Sequence, residues 1–188
     1  NLKKGISAKF LEEEEFEVII DHFVAENLES EAADACNLAL EYFPNSVSIN
    51  IFKAEILFHG QKLRQALATL DAIEILDPKN LDIVMLKSEI LSAQEKSTDA
   101  AKYLTQKLEE FEGKEKIEIL LELTEVYDDL EEHEKIYDTL EYVLLLDKRN
   151  EEALNKISFW SDYLDFQERT IVIFNDILEE DPYNVLAW

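Results

Sequence analysis

Apolar residues recur along most of the chain at intervals of three and four positions, with charged residues between them. One such stretch contains Leu63, Ala66, Leu67, Leu70 and Ile73. This spacing places the apolar side chains on one face of an α-helix. Short polar segments break the pattern at regular distances. The sequence therefore predicts a chain of amphipathic helices joined by short turns.

The three prolines mark a repeat. The interval from Pro44 to Pro78 matches a repeat unit of about 34 residues, and the interval from Pro78 to Pro182 accommodates three such units, one of them slightly longer. Each unit contains two helical stretches, so that the unit is a helix hairpin. The predicted units are residues 13–46, 47–80, 81–116, 117–150 and 151–184, and residues 185–188 begin a sixth.

Polar residues at fixed places in the units predict where helices begin and end. A side-chain oxygen that accepts from the free N–H groups of the next helix is available at Ser46, Asn80, Asn150 and Asn184. Asn27 and Gly60 fall at the break between the two helices of their units, and both residue types tolerate a left-handed backbone. These two positions predict the turns within the hairpins.

Small residues recur where the two helices of a hairpin would approach closely. In the second helices they are Ala32, Ala66 and Ala100, and in the first helices they are Ala54, Ser88, Thr124 and Ser158. The aligned Ile136 and Thr170 are larger, so we expect more open packing in the fourth and fifth units.

A helix hairpin of this length with these features resembles the tetratricopeptide repeat. The first unit offers the expected order of residues: Phe16, Ile19, Phe23, Ala32, Ala39 and Pro44. The resemblance covers residues 13–188 and implies an all-α, right-handed solenoid of antiparallel helix hairpins, which we expect to form a single domain over residues 1–188. Lys53 and Lys87 depart from the pattern, because the family usually has a large apolar residue there.

Charge excludes some classes of partner. The chain has 18 Lys and Arg against 43 Asp and Glu, a formal charge of -25, so it repels nucleic acid. At 47% hydrophobic and 32% charged residues, the chain is too apolar for a disordered acidic tail and too charged for a membrane bundle. No apolar run is long enough to span a membrane, and no leader is present, so a cytoplasmic location is expected.

Candidate chemistry within the sequence is sparse. Cys36 is the one cysteine, which excludes an intrachain disulfide and a multi-cysteine zinc site, and we expect it to pack in the core. His22, His59 and His133 lie in different units without a metalloprotease motif. The acidic runs lack the spacing and the glycine of a calcium loop. We therefore expect no catalytic residue, no metal and no cofactor.

The resemblance places the partner-binding surface on the first helix of each unit. The family's contact positions, transferred to this chain, are richer in acidic residues than the chain as a whole, and Lys156 is the one basic residue among them. The residues assigned to partner binding are Glu17, Asp21, Val24, Ile51, Phe52, Glu55, Phe58, Met85, Leu86, Glu89, Leu121, Glu122, Glu125, Lys156 and Phe159. Lys156 beside Asn155 is the one fragment that resembles the carboxylate clamp of some family members.

The expected function is a protein-interaction scaffold without enzymatic activity, whose acidic and partly apolar groove binds a basic, apolar segment. Three alternatives stay open. The apolar groups could pack within the core while the acids only confer solubility. The chain could be a structural element that self-associates weakly through its C-terminal end. It could also be an interaction domain attached to a catalytic or regulatory domain, because we expect it to be a fragment of a longer protein.

Overall fold

The computed structural model describes residues 11–188 of the chain, so residues 1–10 of the predicted domain lie outside the described residues. Within residues 11–188 the backbone forms ten α-helices and a closing 3-10 turn at Val185–Ala187, and no strand. The helices are α1 Glu13–Ala25, α2 Glu29–Tyr42, α3 Val47–His59, α4 Leu63–Glu74, α5 Leu81–Ala93, α6 Ser97–Lys107, α7 Gly113–Asp129, α8 His133–Leu146, α9 Glu151–Leu164 and α10 Gln167–Glu180. The predicted all-α fold class is confirmed.

The chain divides into two compact units, and the division falls inside α5. The N-terminal unit ends at Ile90, and the C-terminal unit is Leu91–Trp188. Helices α1, α3, α5 and α9 begin at the predicted repeat starts, residues 13, 47, 81 and 151. Helix α7 begins at Gly113, one helical turn before the predicted start at residue 117. The single domain predicted from the sequence stays a prediction.

The four predicted helix caps are confirmed. A backbone N–H donates to each cap residue from two or three positions further on, which satisfies one of the donors that a helix start leaves open. The donors and acceptors are Ile49 N to Ser46 Oγ at 3.2 Å, Ile83 N to Asn80 Oδ1 at 3.2 Å, Ala153 N to Asn150 Oδ1 at 2.9 Å and Leu186 N to Asn184 Oδ1 at 3.1 Å.

The turn inside each hairpin has one left-handed residue, and it recurs with the period of the repeat. These residues are Asn27, Gln61, Glu95, Glu131 and Asp165, with φ between 55° and 64°. Asn27 and Gly60 both lie in the turns of their hairpins, as predicted, but Gly60 has a φ of -73° and the left-handed residue beside it is Gln61. The helix end explains the difference, because Lys62 N donates to Leu57 O at 2.8 Å and this bond closes the turn around Gln61.

Two apolar clusters lie in the N-terminal unit from residue 11 onward. One is built around Phe16 and Ile20 of α1 with Ala35, Cys36 and Ala39 of α2. The other joins α3, α4 and α5 and consists of Ile51, Ala54, Ala66, Leu70, Ile73, Ile83, Leu86 and Ile90. Cys36 is fully buried, as predicted, and burial raises the pKa of its thiol to about 12. A thiol with this pKa does not supply a nucleophilic thiolate near neutral pH.

The C-terminal unit has a core with a polar centre. Tyr137 of α8 is fully buried, and its hydroxyl shares a hydrogen bond of 2.8 Å with Thr170 Oγ1 of α10. Thr170 Oγ1 also lies 2.7 Å from Ser161 Oγ of α9. Ser158, predicted to be the small contact residue of α9, is exposed, and Ser161 is buried in its place. The hydrogen bond to Thr170 accounts for the difference, because it holds Ser161 against α10.

Candidate functional site

The N-terminal unit contains a groove formed by the first halves of α1 and α3 and by the residues that lead into α5. Its cavity volume is about 530 Å³. We call it the acidic groove, and its lining residues are Glu13, Val47, Ser48, Ile51, Phe52, Glu55, Asp77, Asn80 and Asp82. Four of these are carboxylates, and none is a lysine or an arginine. An excess negative charge next to apolar side chains favours a ligand that is both cationic and apolar.

Glu55 of the acidic groove has a carboxyl group whose pKa is raised. Burial raises the pKa of its carboxyl group, His59 opposes this change, and the negative charges of Asp82, Glu89 and Asp21 raise it further. Asp21, Glu55 and Glu89 were assigned to one surface from the sequence. They come from α1, α3 and α5, so three helices of the N-terminal unit contribute to one electrostatic site.

The raised pKa of Glu55 gives the stability of the fold a pH dependence. Because the pKa of Glu55 is higher in the folded chain than in the unfolded chain, its contribution is fully present below the unfolded value and is lost as pH rises through the folded value. We expect Glu55→Gln to raise the melting temperature at pH 7 and to lose this advantage as the pH is lowered to about 5. Thermal unfolding followed by circular dichroism at several pH values would measure the difference.

Glu41→Gln on the exposed side of α2 is the matched control, because it removes the same charge outside the groove. The same pH dependence in both variants, or a Glu55→Gln melting temperature below that of the wild type at pH 7, would show that the charge of Glu55 does not limit stability.

The structure separates the predicted N-terminal contact residues by exposure. Asp21 and Glu89 are exposed, and Glu55 is half-buried. The half-buried apolar residues, which combine core packing with some open surface, are Val24, Phe52, Phe58 and Met85. Ile51 and Leu86 are 9% and 8% exposed and belong to the core cluster of α3, α4 and α5. These two residues therefore offer a partner little surface, and for them the core alternative is the better description.

Glu17 lies at the edge of the same region. Its carboxylate accepts a hydrogen bond from the hydroxyl of Ser48, which connects α1 to α3. Ser48 Oγ is also 3.2 Å from Ser46 Oγ, the cap of α3. The carboxylate of Glu17 therefore already has a hydrogen-bond partner within the chain.

In the C-terminal unit, the predicted basic residue is engaged by the chain itself. Lys156 of α9 donates to the carboxylate of Glu125 on α7 and to Glu152 Oε1 at 2.7 Å. Burial lowers the pKa of Lys156, but the hydrogen bonds to Glu125 and Glu152 outweigh it, and the pKa is raised. Asn155 Nδ2 donates to Glu151 O at 2.8 Å. Lys156 and Asn155, the pair that resembles a carboxylate clamp, thus already form hydrogen bonds within the chain.

The other predicted residues of the C-terminal unit differ in exposure. Leu121 is half-buried and packs against the core around Leu120 and Tyr137, and Glu122 beside it is also half-buried. Phe159 is 63% exposed. It is the one predicted apolar contact of this unit that presents most of its surface to solvent.

Phe159 belongs to an aromatic cluster that the sequence did not reveal. Its ring is 5.1 Å from Trp160 and 6.4 Å from Tyr163, and the His133 ring of α8 stacks on Trp160 at 4.9 Å. The spacing of Phe159 and Tyr163, one helical turn apart, was a usable signal, since such pairs share one helix face. His133 belongs to the preceding hairpin, and nothing in the sequence pattern connects it to Trp160.

A second cavity lies between the second helices α8 and α10 and was not predicted. Its volume is about 380 Å³, and its apolar wall includes Leu145 and Val172, which are 71% and 68% exposed. Charged residues near this wall are paired within the chain: Arg169 with Asp138 at 2.9 Å and Lys148 with Asp176 at 2.7 Å.

Within residues 11–188, no three His, Cys, Asp or Glu side chains are grouped so that they could hold a metal ion. Nor does any helix of the described part combine the length and the apolar character that crossing a membrane requires.

Solved structures with the same fold are tetratricopeptide-repeat proteins. A tetratricopeptide repeat protein from Parabacteroides merdae superimposes with a TM-score of 0.67 at 17% identity, covering 93% of this chain and 69% of that one. PilF from Pseudomonas aeruginosa gives 0.68 at 14%, with 89% and 73% covered. YrrB, described as having an unusual peptide-binding site, gives 0.59 at 13%, with 92% and 88% covered. No protein-family model matches the sequence, and no curated protein does. The chain has the tetratricopeptide-repeat fold.

Proposed function

We propose that this chain is a non-enzymatic scaffold for protein–protein interaction, and that its acidic groove binds a basic and apolar segment of a partner. One observation carries the proposal. The groove in the N-terminal unit joins four carboxylates to the half-buried Phe52 and Val47, with no lysine or arginine among its lining residues. Burial and neighbouring carboxylates raise the pKa of Glu55, so a positive charge on the partner would stabilise its ionised form. Apolar side chains of the partner would supply buried area.

The fold and the chemistry of the described residues agree with this role. Stacked helix hairpins present fixed rows of side chains, which suits recognition of an extended segment. The buried Cys36 thiol, with its pKa of about 12, argues against nucleophilic catalysis at the one cysteine. The peptide-binding site in the description of YrrB supports the same kind of function in this fold.

The experiment selects peptides from a random display library on the whole chain and measures their affinity at low and moderate salt. We expect basic, apolar peptides whose affinity falls as salt rises. The triple variant Glu13→Gln, Glu55→Gln, Asp82→Asn neutralises three of the four carboxylates that line the groove. It should bind the peptides about tenfold more weakly at low salt, since a solvent-accessible charge pair contributes about 0.5 kcal/mol.

The control is a second triple variant that also removes three negative charges, but from the exposed face of α2: Glu31→Gln, Asp34→Asn and Glu41→Gln. It should bind as the wild type does. Selection of acidic peptides, or equal losses in the two triple variants, would contradict the acidic groove as the binding site.

Self-association through the C-terminal helices is a second candidate. The observation that favours it is the apolar wall of the cavity between α8 and α10, where Leu145 and Val172 are largely exposed. High salt would screen the charge of -25 and promote association. Sedimentation equilibrium at two salt concentrations distinguishes this candidate, because a chain that stays monomeric at high salt lacks such an interface.

A further inference from the structure

The aromatic cluster of the C-terminal unit is partly exposed to solvent. It consists of Phe159, Trp160 and Tyr163 on α9 and His133 at the start of α8. Phe159 and Tyr163 are nearly parallel, at 14°, and both are more than half exposed, while Trp160 is close to perpendicular to each, at 82° and 86°. Aromatic side chains of this size are usually buried, so two exposed rings on one helix face mark an interaction surface.

The helices near these rings also carry exposed carboxylates. Asp162 is exposed and lies three positions after Phe159, which places it on the same side of α9. Asp128 and Asp129 are exposed at the end of α7, directly before the turn that leads to His133. A cation on the rings of Phe159 and Tyr163 would therefore lie on the side of α9 that carries Asp162, next to the negative faces of aromatic rings.

The aromatic cluster carries no cation from the described residues. Within residues 11–188, no lysine or arginine lies over Phe159, Trp160 or Tyr163, and the nearby Lys156 is held by Glu125 and Glu152. In another part of the same unit the chain does make this kind of contact, because the Arg169 guanidinium lies 4.7 Å from the centre of the Tyr137 ring. Arg169 also pairs with Asp138 at 2.9 Å.

We propose that Phe159, Tyr163 and Asp162 form a seat for an arginine side chain of a protein partner. The guanidinium would lie flat on the exposed rings and donate to the Asp162 carboxylate, which repeats with a partner the arrangement that Arg169 makes within the chain. Arginine suits the seat better than lysine, since its planar group stacks on rings while keeping its donors free. This inference rests on the proposed scaffold function and assigns one contact within it.

The test uses the two tryptophans of the chain, Trp160 and Trp188, as separate reporters. Their indole N–H signals are followed by NMR while the whole chain is titrated with N-acetyl-arginine amide at constant ionic strength. N-acetyl-citrulline amide, which has the same shape without the charge, is the comparison ligand. We expect a saturable shift at Trp160, little change at Trp188, and about fivefold weaker binding of the citrulline compound.

Substitutions of Tyr163 distinguish stacking on an aromatic ring from simple apolar contact. Tyr163→Phe keeps the aromatic face and should bind the arginine compound as the wild type does, whereas Tyr163→Leu should weaken binding about twofold to fivefold. Leu145→Ala, an exposed apolar change on α8, is the matched control and should have no effect. Circular dichroism verifies that each variant folds.

Equal binding of the two ligands, a shift at Trp188 alone, or no difference between Tyr163→Phe and Tyr163→Leu would overturn the inference. These outcomes are independent of the display selection on the acidic groove. If peptides bind the groove while Trp160 does not respond to the arginine compound, the scaffold function stands and the arginine seat is wrong. If Trp160 responds as expected but no peptide is selected, the arginine contact stands and the acidic groove is not the main site.

Discussion

Replacing Lys87 by alanine is expected to lower the free energy of unfolding by about 3 kcal/mol. Lys87 of α5 is 7% exposed, and its Nζ lies 2.6 Å from both Asp71 Oδ1 and Glu74 Oε2 of α4. The Glu74 side chain is only 17% exposed. Removing the ammonium group would take away the charge that compensates the partial burial of this carboxylate. Urea unfolding followed by circular dichroism would measure the loss.

Two further variants test the reason for this loss. Lys87→Met keeps the length of the side chain, so that its difference from Lys87→Ala reports the packing of the lysine stem. Lys53→Ala is the control, because Lys53 occupies the same repeat position on α3 and is half-buried. We expect it to cost less than about 1 kcal/mol. A similar loss at Lys53 and Lys87 would show that the ion pairs with α4 contribute nothing beyond helix packing.

Replacing Tyr137 by alanine is expected to lower the free energy of unfolding by about 4 kcal/mol, the range for a large aromatic residue in a core. Its ring is fully buried and meets Phe166 edge to face at 5.1 Å, so the substitution would leave a cavity between α8 and α10. It would also remove the hydrogen bond to Thr170. Urea unfolding of the whole chain is again the measurement.

The contributions of the hydroxyl and of the ring of Tyr137 to the free energy of unfolding can be measured separately. Tyr137→Phe removes only the hydroxyl and should cost about 1 kcal/mol, because Thr170 keeps Ser161 as a partner. Thr170→Val should cost more, about 2 kcal/mol, since the hydroxyls of Tyr137 and Ser161 would both lose a buried partner. If Thr170→Val were neutral, the polar centre of this core would not be held by hydrogen bonds.

Features of the fold that depend on neighbouring residues could be predicted from the sequence. Ser46, Asn80 and Asn150 cap helices because the cap and the N–H group from which it accepts are three positions apart. The number of hairpins could also be predicted, because the repeat period can be read along the sequence. The turn at Gly60 was placed correctly, but its left-handed residue is Gln61, because the hydrogen bonds of the helix end select this position and not the glycine.

The candidate site depended on contacts that the sequence pattern does not specify. Ile51 and Leu86 sit at family contact positions, yet the packing of α3, α4 and α5 buries them. Lys87 looked like a departure from the family pattern, and its carboxylate partners on α4 became visible only when the two helices were placed together. The contact of His133 with Trp160 likewise required the packing of α8 on α9.

The left-handed turn residues have a consequence for how this protein tolerates change over evolutionary time. At all five positions a residue with a side chain adopts a backbone conformation that costs on the order of 1 kcal/mol, which glycine would avoid. The turns form regardless, because their geometry is held by main-chain hydrogen bonds such as Leu28 N to Phe23 O at 2.8 Å. The shape of the turns therefore depends more on main-chain hydrogen bonds than on which residue types occupy them. A lineage of such repeats can exchange most of its characteristic residues, retain its shape, and keep five sites where glycine would restore stability lost to mutations elsewhere.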